Sequence, residues 1–96
     1  MKVVISRTAQ RSIQSLFSYL ENIGYPQTAE KYTLRLKSFC LSLGIMPESH
    51  PICRFPIFRA KRWHCAIFDK HWIIAYAILK DKVIVKTIVH SSRLAY

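Results

Sequence analysis

Side chains suited to acid–base and electrostatic chemistry lie in the second half of the chain. His90 is followed by Arg93 and Tyr96, and Lys61 and Arg62 form a cationic pair further upstream. Metal-free RNA cleavage needs a base, cations that stabilise the phosphorane, and an acid for the leaving oxygen. Imidazole exchanges protons near neutral pH. His90, Lys61 and Arg62 are therefore the candidate catalytic set if the chain cleaves RNA, although His90 could instead only cap the end of a sheet.

Further cations extend this set into a candidate binding surface. Arg59, Lys61 and Arg62 place three cations within four positions, where they repel one another and gain little from local structure. That arrangement favours a binding role. Lys86 is either a phosphate ligand or an edge lysine whose stem covers apolar surface. The complete candidate binding set is Arg59, Lys61, Arg62, His64, Lys86, Arg93 and Tyr96.

The charge of the chain is strongly positive and unevenly distributed. Fifteen Lys and Arg residues face five acidic ones, giving a net charge of +10 and a pI near 10.0. Residues 1–50 contain six basic and three acidic residues, whereas residues 51–96 contain nine and two. Such a field attracts phosphate backbones or an acidic protein. Charge alone does not choose between these partners.

Trp63 and Trp72 each open an apolar run. This position favours a role in the core, and the alternative is that the indoles stack on nucleic-acid bases. His64 and His71 are expected to be exposed turn or strand residues, and the alternative for His64 is that it joins the catalytic face.

The three cysteines lack the spacing of a metal knuckle. Cys40, Cys53 and Cys65 contain no CxxC pair, and we expect buried thiols in a reducing compartment. A zinc site could be drawn from Cys53, His64, Cys65 and His71, but two of these ligands are adjacent in sequence, which fits structural zinc spacing poorly. The sequence predicts no metal and no cofactor.

Three apolar runs in the C-terminal half predict adjacent strands. They span residues 63–68, 72–79 and 83–89, and short polar breaks suited to hairpins separate them. The middle run is apolar on both faces, as in a strand that is covered on both sides. The last run predicts strict alternation. Val83, Val85, Thr87 and Val89 would face one way, and Ile84, Lys86, Ile88 and His90 the other.

The N-terminal half predicts one strand and two helices. A β-prone run over residues 2–5 leads to Ser6, a helix N-cap, and to an amphipathic segment that Gly24 ends. Pro26 suits the first turn of a second helix, which Gly44 ends. The two helices form an antiparallel hairpin.

The loop over residues 45–57 contains Pro47, Pro51 and Pro56, which argue against any helix there. The order β-α-α-β-β-β predicts an α+β fold in a single domain, 1–96, with an N-terminal strand, a helical hairpin and an antiparallel β-meander. The hairpin covers one sheet face, and the other face with its basic rim is left for function. Neither a membrane span nor a signal segment is expected, which predicts a cytoplasmic protein.

These pieces together resemble a known family. Ser6 and Ala9 before the first helix, Pro26, Ala29 and Tyr32 in the second, Leu43 and Pro47 in the loop, and Val89, His90 and Arg93 at the end carry the likeness. In this order and spacing the chain resembles the RelE/ParE toxins of bacterial type II toxin–antitoxin systems. The resemblance covers almost the whole chain.

The resemblance implies a growth-inhibiting toxin of a plasmid-stabilisation system, neutralised by a cognate acidic antitoxin in a hetero-oligomer. ParE-like members poison DNA gyrase, whereas RelE-like members cut mRNA on the ribosome. The two long helices look more like the ParE branch. The nucleases place an Arg after the aromatic residue that opens the middle strand, and here that pair is Trp72 and Ile73. The gyrase-directed interpretation therefore ranks first, a RelE-like endoribonuclease second, and a plain basic nucleic-acid-binding module third.

Overall fold

The computed structural model describes residues 1–94 and has its elements in the predicted order. The elements are strand β1 (Lys2–Ile5), helices α1 (Arg7–Asn22) and α2 (Pro26–Ser42), short helix α3 (Pro56–Arg59), and strands β2 (His64–Phe68), β3 (Trp72–Ile78) and β4 (Lys82–His90). The α+β class and the order β-α-α-β-β-β are confirmed, with α3 as an addition. Tyr96, a predicted binding residue, lies outside the described residues.

The three C-terminal strands and β1 form one four-stranded sheet. The strand order is β1-β4-β3-β2, and β1 runs parallel to β4. The β2–β3 and β3–β4 pairs are antiparallel, which confirms the meander. The N-terminal strand thus closes one edge of the sheet next to the last strand, and β2 forms the other edge.

Strict alternation along β4 was a wrong prediction. The pairing shifts where Ala75 faces Thr87 but Tyr76 faces Val85, so Lys86 is an extra residue with no partner on β3. Such a bulge reverses the direction of the side chains beyond it. Ile88 consequently joins Val83 and Val85 in the core beneath the helices.

The helical hairpin begins and ends at the predicted residues. Ser6 caps α1 by accepting a hydrogen bond of 3.2 Å from the amide of Ala9. Gly24 has a φ of 96°, a left-handed conformation that glycine adopts without steric cost, and Pro26 is at the first turn of α2. The two helices pack on each other, and α1 packs on β4.

Gly44, just beyond α2, is required by a close approach of the chain's start. The amino group of Met1 donates a hydrogen bond of 2.8 Å to the Gly44 carbonyl. A Cβ on Gly44 would lie 2.1 Å from the Met1 carbonyl oxygen, so any side chain would displace β1. Glycine here both follows the helix and lets the first strand dock.

Tyr32 of α2 ties the helices to the β2–β3 turn. Its hydroxyl donates to the Asp69 carboxylate at 2.7 Å. Asp69 and Lys70 both have positive φ, as the two central residues of a type I′ β-turn require, and the His71 amide closes this turn by donating to the Phe68 carbonyl at 3.3 Å. Partial burial and, secondarily, the Asp69 hydrogen bond raise the pKa of Tyr32 to about 12, so the phenol stays protonated as a donor.

The sheet has a core on each face. Leu36 and Cys40 of α2 belong to the helix-side core, which includes Ile74 and Tyr76 of β3. The loop-side core contains Ile73 and Ala75 of β3 with loop residues Cys53, Phe55 and Phe58. The prediction that β3 is covered on both faces is confirmed. The second face, however, is not left open, because residues 53–58 of the proline loop pack across it.

The prediction that the loop contains no helix was wrong. A 3₁₀ turn spans Pro47–Ser49, and α3 spans Pro56–Arg59. Each begins with its proline in the first turn, where the missing amide donor costs nothing.

The expectation of three buried thiols holds only for Cys40. That thiol is buried and free, and burial raises its pKa to about 12. Cys53 and Cys65 form a disulfide instead. Within residues 1–94, each helix is too short or too polar to cross a bilayer.

Candidate functional site

The candidate site is built on the end of α3. The amide of Arg62 donates to the carbonyl of Arg59 at 2.9 Å, and the amide of Trp63 donates to the carbonyl of Phe58 at 3.2 Å. This pair of bonds is a Schellman motif, which ends a helix with one left-handed residue. The motif is often accompanied by an apolar contact, and here the rings of Phe58 and Trp63 stack with centroids 5.7 Å apart. The turn after α3 is thus anchored on the buried ring of Phe58.

Arg62 is the left-handed residue of this motif. Its φ is 59°, a conformation that costs an L residue about 1–2 kcal/mol and that glycine usually occupies. Arg59, Lys61 and Arg62 are all exposed around it. We call these three residues with Lys86 and Trp63 the basic patch. Residues 49–68 contain no Asp or Glu, so the patch has no acidic neighbour in its own segment.

Trp63 gathers two lysines of the basic patch over one ring. The ammonium of Lys61 lies 4.7 Å from the indole centroid, and that of Lys86 lies 5.9 Å from it. Indole is the best aromatic partner of a cation. Lys61 comes from the turn after α3 and Lys86 from β4, so the ring joins cations from two distant segments. Trp63 is half-buried against the loop-side core, and both roles considered from the sequence therefore remain compatible with its position.

His90 lies on the other side of the sheet. It pairs with Trp72 across β3 and β4, with the rings in edge contact at 5.2 Å, and Trp72 packs on the helix-side core. The amide of Ser92 donates to Nδ1 of His90 at 3.2 Å, so this nitrogen acts as an acceptor and the side chain caps the 3₁₀ turn Ser91–Arg93. The His71 and His90 rings stack with centroids 5.7 Å apart. His90 therefore caps the 3₁₀ turn that follows β4, rather than the sheet itself.

His64 also faces away from the basic patch. Its ring stacks on Tyr76 at 5.5 Å, on the helix side of the sheet. Its Nδ1 lies 2.6 Å from the His50 carbonyl, which can only accept, so Nδ1 carries the proton. Burial raises the pKa of Tyr76 to about 12, and its hydroxyl donates to the Pro47 carbonyl. These contacts give His64 a structural position beside the proline loop.

The predicted site residues accordingly form two groups. Lys61 meets Lys86 at the Trp63 ring, and Arg59 and Arg62 lie in the same turn as Lys61. His90 and Arg93 lie together at the end of β4, and Arg93 is exposed. The structure does not bring His90 together with Lys61, which a shared catalytic role would need.

Ile73 is the residue that replaces the expected cation. Its side chain is 3% exposed and packs with Phe55 and Phe58 in the loop-side core. An Arg here would lie beneath the proline loop. The position thus serves packing in this chain.

Sequence reasoning missed two features of this region. One is the meeting of Lys61 and Lys86 on Trp63, which depends on the bulge in β4. The other is the Cys53–Cys65 disulfide, since the sequence predicted buried thiols at both positions.

Comparisons with known proteins agree with this fold. A family model described as "ParE toxin of type II toxin-antitoxin system, parDE" matches residues 3–95. The chain belongs to the ParE toxin family. A solved structure titled "Chromosomal ParDE TA system from P. aeruginosa" is similar with a TM-score of 0.77 and 10% identity, over 94% of this chain and 95% of that one. A search of curated proteins found no significant match.

Membership in the ParE family confirms the resemblance drawn from the residues. The family description places the chain among toxins of type II toxin–antitoxin systems, which implies an antitoxin partner. Because the sequence identity to the solved structure is only 10%, this structural similarity supports the fold and nothing further.

Proposed function

We propose that this ParE-family chain arrests growth by binding DNA gyrase through the basic patch, without chemistry of its own. The observation that carries the proposal is the separation of the predicted catalytic residues. Lys61 and Lys86 converge on Trp63 on the loop side of the sheet, whereas His90 pairs with Trp72 on the helix side. A binding surface needs only the cations, whereas a catalytic site would also need His90 beside them.

The burial of Ile73 supports the same choice. Removing one preorganised donor from a site that stabilises transition-state charge costs about 10²–10³ in rate. A chain with a buried isoleucine at the position of the nuclease arginine would lack such a contact. A gyrase-binding toxin has no corresponding requirement.

The antitoxin in this proposal is an acidic, amphipathic protein. A net charge of +10 attracts such a partner over long range and raises the association rate. The pair forms a hetero-oligomer in the cytoplasm, where gyrase also resides. Its cellular role would be plasmid stabilisation, with the toxin released when the antitoxin is lost.

One observation favours the second candidate, a RelE-like mRNA endoribonuclease. His71 and His90 stack at 5.7 Å, which places two imidazoles side by side near the exposed Arg93. Such a pair could supply a base and an acid. In this alternative the histidine pair would be the centre of the site, and Lys61 and Arg62 would bind substrate from a distance. A basic nucleic-acid-binding module is the third candidate, and it rests on the charge alone.

Induced expression in bacteria separates these candidates. Three cultures are compared: cells that express the chain alone, cells that express it with its cognate antitoxin, and cells that carry the empty vector. The SOS response and ribosome-bound mRNA ends are followed over the first minutes of induction. The proposal predicts growth arrest that the antitoxin relieves, with SOS induction and intact mRNA. Prompt codon-phased mRNA cuts without SOS induction would establish the endoribonuclease instead. Growth equal to that of the empty vector would contradict toxin action altogether.

A further inference from the structure

The Cys53–Cys65 disulfide encloses every residue of the basic patch except Lys86 in the sequence. The two cysteines are 12 residues apart, and the ring they close contains α3, Arg59, Lys61, Arg62 and Trp63. We propose that this disulfide is a thiol-exchange site, at which a small anionic thiol reduces the bond and loosens the basic turn. The inference rests on the proposed function where it concerns toxicity and the reducing cytoplasm.

A groove gives a thiol access to the bond. It has a volume of about 470 Å³, and both cysteines line it beside His50, Arg54 and Ile67. Cys53 is 1% exposed, whereas Cys65 on the edge strand β2 is partly exposed. Because exchange depends on access to the attacked sulfur, the attack falls on Sγ of Cys65.

The groove also selects the charge of the thiol. Arg54 is exposed at its lining, and residues 49–68 contain no carboxylate. Thiolates are the attacking species and are stabilised by neighbouring cations. A thiol that carries carboxylates, such as a glutathione-type tripeptide, is therefore the favoured reductant.

The thiol–disulfide exchange proceeds in two steps, in which atoms and electrons balance. The thiolate attacks Sγ of Cys65, forming a mixed disulfide and releasing Cys53 as a thiolate that takes up a proton. A second thiolate attacks the sulfur of the first small thiol, which frees Cys65 as a thiolate that is then protonated. Overall, two small thiols are oxidised to their disulfide, and the protein disulfide receives two electrons and two protons.

Reduction would loosen the ring without unfolding the domain. The segment keeps its buried anchors Phe55 and Phe58 and the bond of 2.8 Å from the Cys53 amide to the Trp63 carbonyl. The covalent restriction on loop closure, however, is lost. Opening then becomes easier for residues 54–64, and the cations over Trp63 are less well positioned. Because disulfides in reducing compartments are typically transient or redox-sensing, the bond suits a regulatory role.

The test uses the full-length chain equilibrated with mixtures of reduced and oxidised glutathione. Alkylation after denaturation, followed by mass spectrometry, counts the free thiols including the buried Cys40. Amide hydrogen exchange is measured on the folded chain. We expect one free thiol, Cys40, in the oxidised form and three in the reduced form. We also expect about tenfold faster exchange over residues 54–64 on reduction, with β3 and β4 unchanged.

Two variants control for other effects. Cys40→Ser should show the same response of hydrogen exchange to glutathione as the wild type, with one free thiol fewer in each form. The Cys53→Ser/Cys65→Ser double variant should exchange like the reduced form under all conditions. Alkylation of all three cysteines in the oxidising mixture, or equal exchange rates over residues 54–64 in both forms, would overturn the proposal. Neither readout involves gyrase, so a failure of the proposed target would show separately, as missing gyrase inhibition by a chain whose exchange still responds to glutathione.

Discussion

The hydroxyl of Ser6 donates a hydrogen bond of 2.9 Å to the main-chain carbonyl of Lys86, 80 residues along the chain. Ser6 also receives the capping bond from Ala9, and its own amide donates to the Val85 carbonyl at 3.0 Å. The residue that starts α1 therefore also holds the bulge of β4. This link connects the N-terminal cap to a lysine of the basic patch.

Ser6→Ala should lower the free energy of unfolding by about 1–2 kcal/mol, because it removes a helix cap and a second hydrogen bond together. Urea unfolding gives the measurement. Ser12→Ala is the matched control, since that hydroxyl donates only to Thr8 within the same helix. We expect Ser12→Ala to change stability by less than about 0.5 kcal/mol. Equal effects of the two substitutions would contradict the dual role of Ser6.

Arg62 allows backbone strain to be separated from charge. Arg62→Gly should raise the free energy of unfolding by about 0.5–1 kcal/mol, because glycine adopts a φ of 59° without the steric cost but is more flexible when unfolded. Arg62→Ala keeps the strain and should leave stability nearly unchanged. Thermal unfolding of both variants measures the difference.

Both Arg62 substitutions remove the same guanidinium group, so they should reduce toxicity equally at matched soluble expression. Toxicity that follows stability, with the glycine variant more active than the alanine variant, would show that the charge of Arg62 is not used.

Ile73→Arg tests whether the nuclease cation can be restored. We expect a loss of stability of at least about 3 kcal/mol, because the charge would enter the loop-side core, and no gain of mRNA cleavage. Ile73→Val, which keeps the site apolar, should cost only about 1 kcal/mol. Denaturant unfolding and a ribosome-dependent cleavage assay check the two parts. A stable Arg variant that cuts mRNA would refute our assignment of Ile73 to packing.

Local signals predicted most of the architecture. Ser6, Gly24 and Pro26 each act at a helix end through their own chemistry, so the helical hairpin could be deduced from them. The prolines of the loop led to the wrong prediction that it contains no helix, because proline breaks a helix only in its interior. Pro47 and Pro56 each lie in a first turn, where proline is favoured.

The candidate site was less predictable because it depends on distant contacts. The sequence of residues 83–89 predicts side chains that alternate regularly between the two sheet faces. Only the pairing with β3 shows that Lys86 is an extra residue. That bulge separates Lys86 from His90, which the sequence had placed on one face. Likewise, the spacing of Cys53 and Cys65 could not specify their pairing, since it depends on how the loop lies along β2.

The basic patch should be the surface through which the toxin acts. Replacing Arg59, Lys61 and Arg62 together by Ala should change stability by little, because exposed substitutions rarely exceed about 0.5 kcal/mol each. The variant Arg11/Lys31/Lys37→Ala is the matched control. It removes the same charge from exposed positions on α1 and α2.

A supercoiling assay with purified DNA gyrase tests the account most directly. The wild-type chain and the helix-charge control should inhibit gyrase at similar concentrations. The patch variant should need at least about tenfold more protein, equivalent to about 1.4 kcal/mol of binding free energy. Undiminished supercoiling in the presence of the wild-type chain, or equal inhibition by the wild type and the patch variant, would contradict the account.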